Sequence, residues 1–100
     1  MQTIVTHVRI QAGKQETWDA AFRERVAAAR GQDGFVAVQL CVPQGRENER
    51  VVIGTWRARE DWEAWHDTPE FRRTRHELED TAPERESEWW HEVVLEERAR

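Results

Sequence analysis

The chain begins with a run in which apolar and polar positions alternate, over residues 3–11. Ile4, Val8 and Ile10 fall on one side of the run, and His7 falls on the other. A period of two residues is typical of a β-strand. If the three aliphatic residues face the helices, His7 faces a second copy of the chain. If the assignment is reversed, His7 faces the helices and is a base in a pocket.

A helical pattern follows over residues 16–30. Its apolar residues are spaced by four, four and three positions, and they are Trp18, Phe22, Val26 and Ala29. This spacing places them on one stripe of an amphipathic helix. Gly31 and Gly34 then end the helix and allow the turn out of it.

Two β-rich runs come next, at residues 35–42 and 50–56, joined by a polar segment that contains a glycine. Such a pair is typical of a β-hairpin. Residues 59–65 form a short helical piece. A last β-rich run covers residues 88–95 and precedes a charged tail at residues 96–100.

A second long helix is predicted from its start signal. Thr68 suits the N-cap, Pro69 suits the first helical position, and Glu70 places an acid in the first turn. The helix is expected to reach about Asp80 and to stop before Pro83.

The predicted order is β-α-β-β-α-β, the ferredoxin-like arrangement of an α+β domain with an antiparallel sheet. One hundred residues suit a single domain, with a core over about residues 3–95. Its helices cover one face of the sheet, and the other face needs a separate cover if it is apolar.

Both faces of the strands carry apolar residues. In the second strand Val36, Val38, Leu40 and Val42 are expected on one side, opposite Phe35, Ala37 and Cys41; in the last strand Trp89, Val93 and Leu95 oppose Trp90 and Val94. The chain has no segment left to cover a second apolar face. We therefore expect a twofold homodimer that pairs through the sheet.

Composition excludes some classes of function. Charged residues make up 35% of the chain, are mixed in sign and give a net charge of -5, which does not favour nucleic-acid or membrane binding. No apolar stretch is long enough to span a bilayer. The single cysteine cannot form an intrachain disulfide, which fits a cytoplasmic location. The four histidines are scattered, so no metal site is expected.

The segment from Gly54 to Phe71 reads Gly-Thr-Trp-Arg-Ala-Arg-Glu-Asp-Trp-Glu-Ala-Trp-His-Asp-Thr-Pro-Glu-Phe. It resembles the antibiotic biosynthesis monooxygenase domain, which ends its third strand in Trp and places an aromatic residue and a Trp on a short helix. The aromatic-rich last strand extends the likeness over nearly the whole chain. The resemblance implies a dimeric α/β barrel with a pocket between the helices and the sheet of each protomer.

One activity that the resemblance implies is cofactor-independent oxygenation of anthrone-like polyketides to quinones. Trp56, Trp62 and Trp65 would then wall the site for a planar ring. Where the polyketide oxygenases have an Asn four places before the strand-ending Trp, this chain has Val52. Their Arg on the following helix corresponds to His76 here.

A second implied activity is oxidative degradation of haem, bound as substrate. The Trp of those enzymes matches Trp65, and their strand Asn corresponds to His7. The place of the axial ligand falls on Arg75, beside His76. A third interpretation is a dimeric domain that binds an aromatic ligand without turnover.

Helix geometry separates two of these residues. Phe71, Arg75 and Leu78 share the inward stripe of the second long helix, and His76 lies about 140° from Phe71, on the outer face. Arg75 therefore interrupts an apolar stripe and is a candidate for pairing with a substrate acid.

The candidate residues form two groups. The predicted catalytic residues are His7, Trp56, Trp62, Trp65 and Arg75. The predicted substrate-binding residues are Trp18, Phe22, His66, Phe71, His76 and Trp89. No dedicated cofactor is expected, and the expected ligand is a small aromatic molecule.

Overall fold

The computed structural model describes residues 1–99, without the side chains of residues 84–86. Its elements in chain order are β1 (Gln2–Arg9), α1 (Gln15–Ala29), β2 (Phe35–Cys41), β3 (Glu49–Trp56), α2 (Arg59–His66), α3 (Pro69–Thr81) and β4 (Glu84–Glu92). The predicted order of strands and helices, including the short helix before the second long one, is confirmed.

The strands described form one antiparallel sheet in the order β2-β3-β1-β4. This is the ferredoxin-like arrangement, so the predicted α+β fold class is confirmed. The predicted hairpin is the pair β2 and β3, which are neighbours in the sheet. The two strands on either side of β1 place its residues near the centre of the sheet.

The alternation in β1 sorts the two faces of the sheet. Ile4 and Val8 are buried toward the helices, and Ile10 is buried just past the end of the strand. His7 lies opposite Val51 of β3, on the face that the described helices leave uncovered. Of the two places left open for His7, the one away from the helices is therefore observed.

The expected faces of β2 are wrong at its first residue. The register of β2 against β3 shifts between Phe35 and Ala37, where an extra residue makes a bulge. Because one extra residue moves a side chain to the opposite face, Phe35 lies on the helix side. Its ring meets the edge of Trp56 at a centroid distance of 5.5 Å.

The expected bounds of the last strand are also wrong. The strand pairs with β1 from Arg9↔Glu84 to Gln2↔Glu92, so its length follows that of its neighbour. Val94 and Leu95 fall beyond it and are 89% and 77% exposed. The sequence pattern there is β-rich, but no strand of the described chain extends far enough to pair with it.

An ion pair between the buried Arg50 and the partly buried Asp19 connects α1 to the sheet. Arg50 of β3 donates from Nε and Nη2 to the two carboxylate oxygens of Asp19, at 3.0 and 3.1 Å. Its Nη1 donates to the carbonyl oxygens of Glu47 and Glu49. These two parallel hydrogen bonds hold α1 in a defined position over β3.

The start of α3 matches its sequence signal. The Thr68 side chain accepts a hydrogen bond from the backbone N–H of Phe71 at 3.3 Å, and Pro69 is the first helical residue. Thr68 also donates to the carbonyl of Trp65 at 2.7 Å. The cap therefore fixes the turn between α2 and α3, which carries several side chains of the cavity described next.

Candidate functional site

A cavity of about 490 Å³ lies between the helices and the inner face of the sheet. Its floor is formed by Thr6 of β1 with Val52 and Gly54 of β3, which lie beside it in the sheet. A Cβ atom at Gly54 would lie 3.5 Å from the nearest side-chain atom of Ile4. The missing side chain at this position therefore keeps part of the floor open.

Tryptophans from three elements form much of the wall: Trp18 from α1, Trp56 from the end of β3, and Trp62 and Trp65 from α2. Trp65 meets Phe71 edge-on at 5.6 Å, and Trp62 meets Trp90 edge-on at 4.9 Å. Such edge-to-face contacts hold aromatic rings in defined orientations. The wall is therefore aromatic and pre-formed.

The α1 side of the cavity is built by Trp18 and Phe22. Their rings are stacked with a centroid distance of 5.0 Å and an angle of 5° between the planes. Both residues are buried and belong to the apolar stripe expected for α1. They add a flat apolar surface to the cavity.

Arg25 brings a positive charge to the same cavity. Its guanidinium carbon lies 3.9 Å from the centre of the Phe71 ring. Nε donates to Thr74 Oγ1 at 3.0 Å, and Nη2 donates to the Phe71 carbonyl at 3.3 Å. These contacts tie α1 to α3 and hold the guanidinium in one place.

Sequence reasoning missed both Arg25 and Thr74. Arg25 stands seven residues after Trp18 and three after Phe22, so it lies on the stripe that faces the core. Thr74 stands three residues after Phe71 and is almost fully buried. The signal was present in both cases as a polar residue at an inward position.

His66 lies at the end of α2 and also lines the cavity. Its Nδ1 is 2.8 Å from the carbonyl oxygen of Trp62. The ring centre is 3.8 Å from that of Trp62 and 4.0 Å from that of Phe71. The imidazole is therefore held between two aromatic side chains.

Arg75 lies at the rim of the cavity. Its side chain is 59% exposed and its Nε donates to Glu79 at 3.0 Å. Both residues line the opening, together with Asp67 and Glu88. The inward stripe expected for α3 therefore holds at Phe71 and Leu78, which are buried, while Arg75 reaches toward solvent.

Three of the predicted site residues lie outside the cavity. His76 is 88% exposed on α3 and its Nε2 is 3.2 Å from Asp80. His7 and Trp89 lie on the outer face of the sheet, and Trp89 is 66% exposed. The strand and helix periods explain all three positions, since each residue falls on the side opposite its inward neighbours.

The remaining predicted residues are brought together around the cavity. They are Trp18, Phe22, Trp56, Trp62, Trp65, His66, Phe71 and Arg75. Within the described residues, no group of three His, Cys, Asp or Glu side chains is placed to hold a metal ion. No helix among residues 1–99 is long and apolar enough to cross a membrane.

The model of the family named antibiotic biosynthesis monooxygenase matches residues 1–77. This range covers most of the chain and contains the cavity residues of β1, β3 and all three helices except those at the end of α3. The chain belongs to the antibiotic biosynthesis monooxygenase family.

Solved structures share the fold of this antibiotic biosynthesis monooxygenase family member. A Nitrosomonas europaea protein of the antibiotic biosynthesis monooxygenase type has a TM-score of 0.86 at 16% identity, covering 95% of this chain and 100% of that one. SnoaB of Streptomyces nogalater, a cofactor-independent oxygenase, has a TM-score of 0.85 at 18% identity, covering 95% and 94%. A Bacteroides thetaiotaomicron protein reaches 0.81 at 20% identity, covering 92% and 96%.

At these identities the likeness to solved structures concerns the fold of the family member. None of the curated protein sequences matches the chain. The side chains of its own cavity therefore carry the argument about function.

Proposed function

We propose that this protein oxygenates a planar, electron-rich aromatic compound of the anthrone type without a dedicated cofactor. The observation that carries the proposal is the 490 Å³ cavity, which combines an aromatic wall with the guanidinium of Arg25 and the imidazole of His66. Family membership and the fold shared with SnoaB support the reaction class.

The reaction needs an activated substrate, since dioxygen reacts slowly with closed-shell organic molecules. An anthrone that has lost a proton from its methylene carbon becomes an electron-rich enolate, which can transfer an electron directly to dioxygen. A carbon–oxygen bond then forms at that carbon. Cleavage of the oxygen–oxygen bond leaves a quinone carbonyl and releases water, so one anthrone and one dioxygen give one quinone and one water.

The cavity suits the binding part of this reaction. Trp56, Trp62 and Trp65 offer faces and edges against which a planar ring packs, and their fixed orientations limit the entropy lost on binding. The walls of the cavity would surround the bound ring and exclude water from the reactive enolate. Val52 makes the floor apolar at the place where the polyketide oxygenases have an Asn.

Arg25 suits the electrostatic stabilisation of the enolate. The enolate carries its negative charge mainly on oxygen, and a pre-positioned donor lowers the energy of such an oxyanion. The bonds to Thr74 and the Phe71 carbonyl hold the guanidinium in place before the substrate arrives. We assign Arg75, at the rim, the weaker role of attracting an acidic or phenolic substrate.

The proposal includes a homodimer through the outer face of the sheet. Val5, Val51 and Ile53 lie on that face and are half-buried, and Trp89 is 66% exposed. No described helix covers these residues. A second copy of the same face would remove this apolar surface from water, and His7 would then lie in the interface.

Haem degradation is the less supported alternative. The place of its axial ligand holds Arg75, whose Nε is paired with Glu79, and the neighbouring His76 points away from the cavity. A ligand-binding domain without turnover has the same cavity and is distinguished by activity alone.

Oxygen uptake tests the proposal. Purified protein is mixed with dithranol, an anthrone, and dioxygen consumption and quinone formation are followed against protein-free and heat-unfolded controls. We expect catalytic turnover with one dioxygen consumed for each quinone formed. Rates equal to those of the controls would refute oxygenation of anthrones. A parallel haemin titration that gives a saturable Soret shift at one equivalent per protomer, followed by haem loss with a reductant in air, would favour the alternative.

A further inference from the structure

A threonine side chain interrupts the aliphatic floor of the cavity. Thr6 stands between Ile4 and Val8 on the inner face of β1, and all three residues line the cavity. Ile4 and Val8 are buried, whereas Thr6 is half-buried. Its partner across β3 is Val52, which lines the same floor. A polar side chain is thus placed where its neighbours along and across the strands are apolar.

The Thr6 hydroxyl differs from the hydroxyls of the other threonines that are buried or half-buried. Each of the others has a hydrogen-bond partner within the chain, and they are Thr3, Thr55, Thr68, Thr74 and Thr81. No residue that the structure describes provides such a partner for Thr6. Within residues 1–99, the side-chain atom that is both buried and unpartnered is Trp90 Nε1. The Thr6 oxygen therefore keeps accessible surface, and on the inner face of the sheet that surface belongs to the cavity.

The sheet holds Thr6 in a fixed position. β1 lies between β3 and β4, and Thr6 is paired with Val52 on one side and with Glu88 on the other. A β-branched side chain also has few rotamers available on a strand. The hydroxyl is therefore pre-organised, which limits the entropy lost when a ligand binds to it.

An accessible hydroxyl makes the floor selective between ligands. In solution such a group is hydrated, and a ligand that covers it removes the water. A bare hydrocarbon then leaves the hydroxyl without a partner, which costs free energy. A ligand oxygen at that place replaces the water and avoids the cost. Because a threonine hydroxyl both donates and accepts, a phenol and a carbonyl oxygen suit it equally.

We propose that Thr6 is a specificity-determining residue, which hydrogen-bonds an oxygen substituent of the bound aromatic ligand. The aromatic wall selects planar ligands, and Thr6 selects among them those that carry a hydroxyl or carbonyl group at the edge facing the sheet. The ligand class is thereby narrowed from planar aromatic compounds to phenols and aromatic ketones. This inference rests on the proposed function and deepens it, since an anthrone is an aromatic ketone.

Two ligands that share one ring system test the role of the hydroxyl. 1-Naphthol and naphthalene differ by one oxygen atom, and both bind without any need for dioxygen. Their dissociation constants are measured by isothermal titration for wild-type protein, Thr6→Val, Thr6→Ser and Thr17→Val. Thr6→Val keeps the shape of the side chain and removes the hydroxyl, whereas Thr6→Ser keeps the hydroxyl. Thr17→Val makes the same change on the exposed surface of α1.

The ratio of the two dissociation constants cancels changes in cavity shape that affect both ligands. Relative to naphthalene, 1-naphthol should bind to Thr6→Val about fivefold more weakly than to wild-type protein, as expected for the loss of one hydrogen bond. Thr6→Ser and Thr17→Val should keep the wild-type ratio. An unchanged ratio in Thr6→Val would overturn the inference, as would failure of 1-naphthol to bind wild-type protein.

Oxygen uptake with dithranol separates this inference from the proposed function. The expected change of ratio in Thr6→Val, without catalysed oxygen uptake by wild-type protein, would support the role of Thr6 and refute oxygenation of anthrones. Catalysed uptake together with an unchanged ratio in Thr6→Val would refute the role of Thr6 and leave the proposed function standing.

A second measurement needs no variant at residue 6. In wild-type protein saturated with 1-naphthol, we expect nuclear Overhauser contacts from the Thr6 methyl group to the ring protons beside the ligand hydroxyl. A hydrogen bond to the Thr6 oxygen places that edge of the ligand within a few bonds of the methyl group. Contacts from Thr6 to the unsubstituted ring alone would overturn the inference.

Discussion

The guanidinium of Arg25 lies 3.9 Å from the centre of the Phe71 ring and donates to the carbonyl oxygen of the same residue. One residue of α3 thus holds the charge through both its side chain and its backbone. Cation–π contacts of this kind gain strength when water is excluded. The contact places a fixed positive charge on the wall of an aromatic cavity, where an oxyanion would need it.

Removal of that charge should slow oxygenation. In Arg25→Gln we expect kcat with dithranol to fall by about 100-fold, as for loss of an oxyanion donor, while Arg25→Lys keeps part of the rate. Arg23→Gln, an exposed change two residues away on the same helix, is the matched control. Equal kcat values for Arg25→Gln and Arg23→Gln would show that the charge takes no part.

A side chain at Gly54 should obstruct the cavity and leave the fold intact. The Cβ atom of Gly54→Val has ordinary van der Waals distance to Ile4, and its methyl groups extend into the space above the floor. We expect dithranol to bind about tenfold more weakly, which corresponds to about 1.4 kcal/mol and lies within the range that overpacking costs. Isothermal titration measures the affinity.

Thr55→Val supplies the control for Gly54→Val. It places the same side chain one residue along β3, on the outer face, and removes the hydroxyl that lies 3.1 Å from that of Thr3. Unaltered affinity in Gly54→Val, together with an unaltered melting temperature, would argue that the ligand binds elsewhere.

The ion pair between Asp19 and Arg50 should contribute more to stability than the exposed ion pair between Arg59 and Glu63. Asp19→Asn leaves the buried guanidinium of Arg50 without its carboxylate partner, and we expect the free energy of unfolding to fall by about 3 kcal/mol. Urea unfolding measures it. Glu63→Gln breaks the exposed pair with Arg59 and should change stability by no more than about 0.5 kcal/mol. Comparable losses in the two variants would contradict this account.

A charge in the outer face should separate the proposed dimer. Ile53→Lys places an ammonium group among the apolar residues of that face, whereas Thr17→Lys places one on the exposed surface of α1. Sedimentation at micromolar concentration should give the mass of two chains for wild-type protein and Thr17→Lys, and of one chain for Ile53→Lys. A wild-type mass of one chain would refute the dimer.

Periodicity accounts for the parts of the fold that were predicted correctly. The alternation of Ile4 and Val8 with His7 separated the two faces of β1 and left open which of them meets the helices, and the stripe of Trp18 and Phe22 gave the inward side of α1. The cap at Thr68 located the start of α3. Each of these signals depends only on residues that are close in sequence. Each can therefore be recognised without knowing the rest of the fold.

The wrong predictions concern features whose structure depends on a distant part of the chain. The bulge after Phe35 depends on pairing with β3, and the end of β4 depends on the length of β1. Neither is encoded in the residues nearby. The inward position of Arg25 is visible in the helical spacing, but its partners are not, because Thr74 and the Phe71 carbonyl come from a helix far along the chain.

The proposed function requires that the cavity directs dioxygen onto an enolised aromatic ring. The most direct measurement is mass spectrometry of the product formed from dithranol under oxygen-18 gas, in wild-type protein and Gly54→Val at equal concentration. We expect one labelled oxygen atom in the quinone, formed at a catalytic rate by wild-type protein and far more slowly by Gly54→Val. A quinone without the label, or equal rates in both proteins, would contradict it.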